Sequence, residues 1–195
     1  MTAGEVGLRE RRRMRTMAAI QQAAFRLFAE QGYDATTVEQ IAAAAEVSPA
    51  TFFRYFPAKE DLVGTDEYDP LLLDTLRARP AEEDALTAVR ATVRQLMPMV
   101  EQDRDGVLTR FRLLSGSSRL NAQLWVGFRR NVDSMAEALG VRLGRDPGDL
   151  EVRVLASALV GALLEAVYSW VDSDGREDFG DLVDRALDRL AALGP

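Results

Sequence analysis

Apolar positions recur along this chain at three- and four-residue spacing, and strict alternation is nearly absent, which predicts an all-α protein. Over 17–31, Ile20, Ala23, Ala24, Leu27 and Phe28 make one stripe, and Gly32 follows where a helix-ending glycine belongs. Thr37 and Gln40 have capping-box spacing, the hydroxyl taking one orphan amide while the glutamine reaches back for another. Ser48 before Pro49 pairs an N-cap with a first-turn proline and starts a third helix. Further helices are expected over 69–77, 80–97, 105–114, 121–143, 150–171 and 179–193. Pro80 is expected to open the second of these and Pro98 to close it. Gly116 among Ser115, Ser117 and Ser118 marks a loop, and Asp146-Pro147-Gly148 leads into the penultimate helix. The division is a helical head over 1–62 and a helical body over 63–195.

Two short helices joined by a tight turn, the second starting with small residues, form a helix-turn-helix arrangement. Val38, Ile41, Val47 and Phe52 are placed to pin the pair together, and the alanines at 42–45 allow close approach. Pro49, Ala50, Thr51 and Arg54 then fall on the opposite side, free for a major groove. A plain helical hairpin explains the same spacing.

Charge sharpens the choice. The chain has net charge -7, yet residues 1–60 carry eight basic and seven acidic side chains while residues 61–195 carry sixteen and twenty-four. Arg9, Arg11, Arg12, Arg13 and Arg15 make a basic arm ahead of the first stripe. An acidic body repels a duplex everywhere except at such a head, which favours one docking orientation. The absence of cysteine and histidine removes disulfides, thiol chemistry, common zinc sites and histidine general bases together. No apolar core follows the charged amino terminus, and the uncharged run 154–164 is shorter than a membrane span. The expectation is a soluble cytoplasmic protein with no membrane partner.

The stretch "ATTVEQIAAAAEVSPATFFRYFPAKEDL" resembles the amino-terminal DNA-binding domain of the TetR family of transcriptional regulators. Thr51, the pair Tyr55-Phe56 and the run Lys59-Glu60-Asp61-Leu62 carry the likeness over residues 15–63. The resemblance implies a homodimer that reads a near-palindromic operator in double-stranded DNA, and a helical body that takes a small-molecule effector. The DNA-binding candidates are Arg13, Thr37, Ser48, Pro49, Ala50, Thr51, Phe53, Arg54, Tyr55 and Lys59. Lys59 is expected in the first turn of a fourth helix, where it and Tyr55 reach phosphates. Two departures stand out: Glu46 occupies a turn where glycine is usual, and Phe53 stands where many members have tyrosine. Either the turn avoids positive φ or it bears strain of about 1 kcal/mol.

In the body, Leu155, Leu159, Gly161, Leu163, Phe179, Leu182, Ala186 and Leu190 form two apolar stripes on consecutive helices. A buried core explains such stripes equally well; the resemblance implies a four-helix dimer bundle. Residues 104–130 carry six arginines against Asp105 alone, interleaved with bulky apolar residues. An apolar cavity edged by guanidinium groups would suit an amphiphilic anion, with a long-chain acyl-CoA as the leading candidate; surface arginines pairing with nearby acids are the plain alternative. The ligand candidates are Leu96, Met97, Leu108, Phe111, Arg112, Leu124, Trp125, Phe128, Arg129 and Trp170. A late tryptophan pair and the "TFFRYFPAKEDLV" stretch resemble the acyl-CoA-responsive subgroup. Rival readings are a drug- or lipophilic-cation-sensing repressor of the same fold, an unregulated architectural DNA-binding dimer, and a carboxylate-based helical enzyme. No phosphate loop, nucleophile elbow or ligand cluster supports the enzyme, and no cofactor or metal is expected.

Overall fold

The computed structural model describes residues 8–64, 68–116 and 118–192, which form two compact units, 1–65 and 66–195. Helices and the short turns between them account for the described residues, with no strand among them.

In the head, α1 (Leu8–Gln31), α2 (Val38–Ala44), α3 (Pro49–Tyr55) and the short α4 (Asp61–Gly64) enclose a core of Ile20, Ala24, Phe28, Ile41, Phe52, Phe56 and Leu62. Helix α1 starts at Leu8, well before the expected 17, so the basic arm is helical from Leu8. Its run of leucine, glutamate, methionine and arginine contains only strong helix formers. The side chains of Arg9, Arg11 and Arg12 lie outside the described residues. Gly32 takes φ 87 and its amide bonds the Phe28 carbonyl at 3.0 Å, ending α1 as the sequence indicates. Buried Gln21 donates to the Leu62 carbonyl at 3.0 Å and ties α1 to α4.

The body comprises α5 (Tyr68–Ala78), α6 (Ala85–Gln102), α7 (Arg104–Gly116), α8 (Ser118–Leu143), α9 (Leu150–Asp172) and α10 (Phe179–Ala191). Pro80 does not open α6. Asp84 does, its carboxylate accepting from the Thr87 amide at 3.0 Å and the Thr87 hydroxyl at 2.6 Å. The preceding turn is held open by Arg142, whose guanidinium donates to the carbonyls of Pro80 at 2.6 Å and Glu83 at 2.8 Å. A helix from Pro80 would need the Pro80 and Glu83 carbonyls for its own amides. Thr87 holds the Asp84 carboxyl below the usual range, through its hydroxyl first and its amide second. The cap is therefore intact above the ordinary carboxylate range and weakens as pH falls through the lowered value.

Pro98 lies inside α6 rather than closing it. Its missing N–H removes one bond, to the carbonyl of Arg94, a few residues before the helix ends. Asp103 then closes α6, donating to the carbonyls of Met99 and Val100 at 3.2 Å. The expected serine loop is also shorter than anticipated. Helix α7 runs to Gly116 and α8 starts at Ser118, with residue 117 outside the described residues. Ser115 bonds the Phe111 carbonyl at 2.9 Å from within α7.

Helix α9 is long and apolar enough by length and composition to cross a membrane, with mean hydropathy 1.8 in its most apolar stretch. One side of it packs inside the body through Val152, Ala156, Leu159 and Trp170, against α7, α8 and α10. Along the other side Leu150 and Val154 are exposed, and a Cβ added at Gly161 would meet nothing within 4 Å.

Candidate functional site

The head brings its candidates together around α3. The capping box at Thr37 is complete: its hydroxyl accepts from the Gln40 amide at 3.2 Å and its amide donates to Gln40 Oε1 at 2.9 Å. Ser48 caps α3, its hydroxyl accepting from the Thr51 amide at 3.1 Å and lying 3.0 Å from the Thr51 hydroxyl. Between them α2 ends with Val47 N–H on the Ala42 carbonyl at 2.9 Å and Glu46 N–H on the Ala43 carbonyl at 3.1 Å, the paired bonds of a Schellman stop. Glu46 occupies its left-handed position at φ 54. A side chain there costs about 1 kcal/mol, partly offset by the greater chain entropy of an unfolded glycine. Glu46→Gly is expected to stabilise the head by about 0.5 kcal/mol, read as a small rise in its melting midpoint.

Phe52 and Phe56 are buried, and the opposite side of α3 exposes Pro49, Ala50, Phe53 and Arg54. Phe53 is 49% exposed and stands edge-on to Phe52, ring centroids 5.4 Å apart. The Arg54 guanidinium lies over the Tyr55 ring at 5.1 Å, which orients it without engaging its N–H donors. Tyr55 is half-buried and Arg13 exposed on α1.

Lys59 is placed differently from expectation. It precedes α4 by two residues, and its ammonium donates to the carbonyls of Tyr33 at 2.8 Å and Thr36 at 2.9 Å, 4.1 Å from the Tyr33 ring centroid. The group closes the α1–α2 turn, where Thr36 also bonds the Gly32 carbonyl at 2.8 Å. Lys59→Met keeps the stem and removes both donors, so the head should lose about 2 kcal/mol of stability. The salt dependence of DNA binding separates the roles. An unchanged slope fits a lysine holding the turn, and a slope shallower by about 1 with unchanged stability assigns it to a phosphate.

In the body the arginines of 104–130 are largely engaged with protein. Arg104 donates to the carbonyls of Asp174 at 3.1 Å and Gly175 at 2.8 Å, and Arg112 pairs with the Asp174 carboxylate. Together they clasp the α9–α10 turn, where Asp174 and Gly175 have φ 62 and 70. Arg110 is 9% exposed and lies over Phe111 at 5.1 Å. Arg129 and Arg130 are exposed; the side chain of Arg119 lies outside the described residues. Of the apolar ligand candidates, Leu96, Leu108, Phe111 and Trp170 are buried, Met97, Leu124 and Phe128 half-buried, and Trp125 is 66% exposed, edge-on to Phe128 at 6.0 Å. Trp170 stacks near Phe179 at 5.6 Å. Its indole N–H and the Thr92 hydroxyl are buried without a hydrogen-bond partner among the described residues. Tyr168, edge-on to Phe111 at 6.1 Å, has its hydroxyl pKa pushed up by burial, against a lowering bond with Ser115.

The dimer candidates divide by burial. Leu159, Phe179 and Leu182 are buried within the protomer and hold α9 to α10. Leu155, Gly161, Leu163, Ala186 and Leu190 are half-buried. A groove of 520 Å³ runs between α9 and α10, lined by Ala166, Ser169, Leu182 and Ala186 with Glu165, Arg185, Asp188 and Arg189. The charged lining is absent from the sequence-based candidates; the i, i+3, i+4 spacing of Arg185, Asp188 and Arg189 beside the Leu182 and Ala186 stripe is the signal that marks it. Helix α6 is fastened to the same helix by ion pairs of Arg90 with Asp184 at 2.9 Å and Asp188 at 2.6 Å, and of Arg94 with Asp184.

Comparison with known proteins places both units. Residues 20–64 match the family model for bacterial regulatory proteins of the tetR family, and residues 83–194 match the model of the MftR C-terminal domain. The chain is 44% identical over 104 residues to the HTH-type transcriptional regulator TcmR of Streptomyces glaucescens, covering 52% of this chain and 45% of that protein. It therefore spans less than half the length of that relative. It is 28% identical over 194 residues to the putative mycofactocin biosynthesis transcriptional regulator MftR of Mycobacterium tuberculosis, covering 92% and 95% of the two chains. Among solved structures, the fatty acid degradation regulator FadR from Bacillus halodurans superimposes with TM-score 0.64 at 25% identity, covering 91% and 99%.

Proposed function

We infer that this chain, which belongs to the TetR family of bacterial transcriptional regulators, is a dimeric repressor that binds a near-palindromic operator and leaves it when a small amphiphilic ligand occupies the body. The observation that carries the DNA half is α3: a serine-capped, proline-started helix buries Phe52 and presents Pro49, Ala50, Phe53 and Arg54 to solvent. A helix held so by its own core can enter a major groove without reorganising. Thr51 is engaged in the cap, so base readout falls to Ala50, Arg54 and the exposed Phe53. Arg54 suits a guanine edge, worth about 1–3 kcal/mol of discrimination, and apolar Ala50 and Phe53 suit a thymine methyl.

For the effector we take the amphiphilic anion, with long-chain acyl-CoA as its representative. Support comes from Arg129 on α8 beside the Trp125–Phe128 pair, and from the kinship with a fatty acid degradation regulator. Arg112 is withdrawn from that role by its pairing with Asp174. The unpartnered indole N–H of Trp170 and hydroxyl of Thr92, both buried among the described residues of the body, are candidates for the polar part of a ligand. A ligand that binds two arrangements of the dimer unequally shifts the separation of the recognition helices, and half-sites a fixed number of turns apart are then no longer read together.

The test is a titration of the complex formed on DNA immediately upstream of the protein's own coding sequence. Long-chain acyl-CoA, the matching free fatty acid and a lipophilic cation are added in parallel while DNA release and tryptophan emission are followed. Acyl-CoA should release the DNA. Release by the cation alone would replace this effector reading with the drug-sensing one.

A further inference from the structure

Two opposite charges in the α9–α10 groove have no counterpart among the described residues of their own protomer. Of the four charged side chains that line it, Asp188 is paired with Arg90 at 2.6 Å and Arg185 with Glu177 at 3.1 Å. Glu165 on α9 and Arg189 on α10 are both exposed, and neither makes an ion pair or hydrogen bond among the described residues, with each other or with anything else. Glu165 lies one helical turn beyond Gly161, on the side of α9 that carries exposed Leu150 and Val154. That side is apolar or small until Glu165 interrupts it. If the face is covered by a second copy, as the dimeric reading above holds, both charges lose water on docking and each must find an opposite charge or destabilise the contact.

We propose that Glu165 of each protomer pairs with Arg189 of the second copy, and that this reciprocal pair selects the partner with which the chain dimerises. A two-fold interface is isologous: when one residue meets another across it, the same contact occurs a second time with the roles exchanged. A groove with one unpaired acid and one unpaired base is self-complementary under that operation. A related regulator with a similar apolar face but the opposite charge at either position would meet a like charge at one of the two contacts, and apolar burial alone supplies no such discrimination. The proposal rests on the dimeric reading of α9 and α10 and adds the contact that gives it specificity.

Charge reversal tests it with the full-length protein. Both side chains are exposed in the protomer, so Glu165→Arg and Arg189→Glu should leave its helical circular dichroism and melting intact. Each variant alone places two like-charge contacts in its homodimer, and its dimer dissociation constant should rise by about 100-fold or more, read by sedimentation velocity. Mixed in equal amounts, the two variants restore both opposite-charge contacts in a heterodimer, which should form at the wild-type concentration range. Single variants that dimerise like wild type, or a mixture no more dimeric than its components, would overturn the pairing while leaving the dimer itself in place. A wild type that sediments as a monomer, or a Gly161→Arg variant that stays dimeric, would instead remove the interface reading on which the pairing rests.

Discussion

Gly161→Arg is expected to give a folded monomer whose operator affinity is lower by about a thousandfold, because two tethered heads gain 10²–10⁴ in avidity over one. The substitution acts at the interface and spares the protomer. A Cβ at Gly161 meets nothing within 4 Å, so the guanidinium has room in the isolated chain and no core residue moves. Loss of glycine from a helix interior raises helix propensity and offsets any local cost. In a bundle with a second copy, the same side chain must be accommodated where helices approach closely, and the two-fold places it there twice. Only 33% of the most apolar stretch of α9 is buried within the protomer. Exposed apolar faces of this kind mark association surfaces. Sedimentation and a binding isotherm on the same sample decide the matter: a dimeric Gly161→Arg protein with wild-type affinity would move the interface off this face.

Phe52→Ala should unfold the head while leaving the body folded. The ring is 0% exposed and lies between Phe53 at 5.4 Å and Phe56 at 5.9 Å, on the helix whose other side we propose meets DNA. Truncating a buried phenylalanine costs about 3–5 kcal/mol, a large share of the 5–15 kcal/mol that holds an average domain together. A head of some 60 residues has a small core and little reserve. The expected result is loss of the head's melting transition and of all DNA binding, specific and non-specific, with sedimentation still showing a dimer. Retained operator binding would mean that the α2–α3 unit does not depend on this ring.

The features legible in the sequence are those fixed by neighbours a few residues apart. Ser48-Pro49, Thr37 with Gln40, and Gly32 each satisfy orphan backbone groups of an adjacent helix end, and all three act as their spacing indicates. Glu46 stands out in the sequence as the anomaly of the turn; its φ of 54 settles that the turn keeps its left-handed residue despite the side chain. What the sequence hides is set by distant partners. Pro80 looks like a helix start until Arg142, 62 residues on, occupies its carbonyl. Lys59 is read from spacing as a helix-start phosphate contact, and its hydrogen bonds to the distant Tyr33 and Thr36 carbonyls are invisible to that reading. Arg112 reads as a free ligand-binding cation because its counter-charge, Asp174, lies beyond any local window. For α9, periodicity marks an apolar helix without distinguishing the side turned to the core from the side turned outward.

We propose that α3 reads DNA as one half of a two-fold pair. Selection of binding sequences from random duplexes by the purified full-length protein addresses it whatever the operator sequence is. The expected result is enrichment of a near-palindrome whose half-site centres lie one helical turn or a multiple of it apart, with Arg54→Ala relaxing the choice at one symmetric pair of positions. Enrichment of an asymmetric single site, or no sequence preference above salt-dependent background, would contradict it.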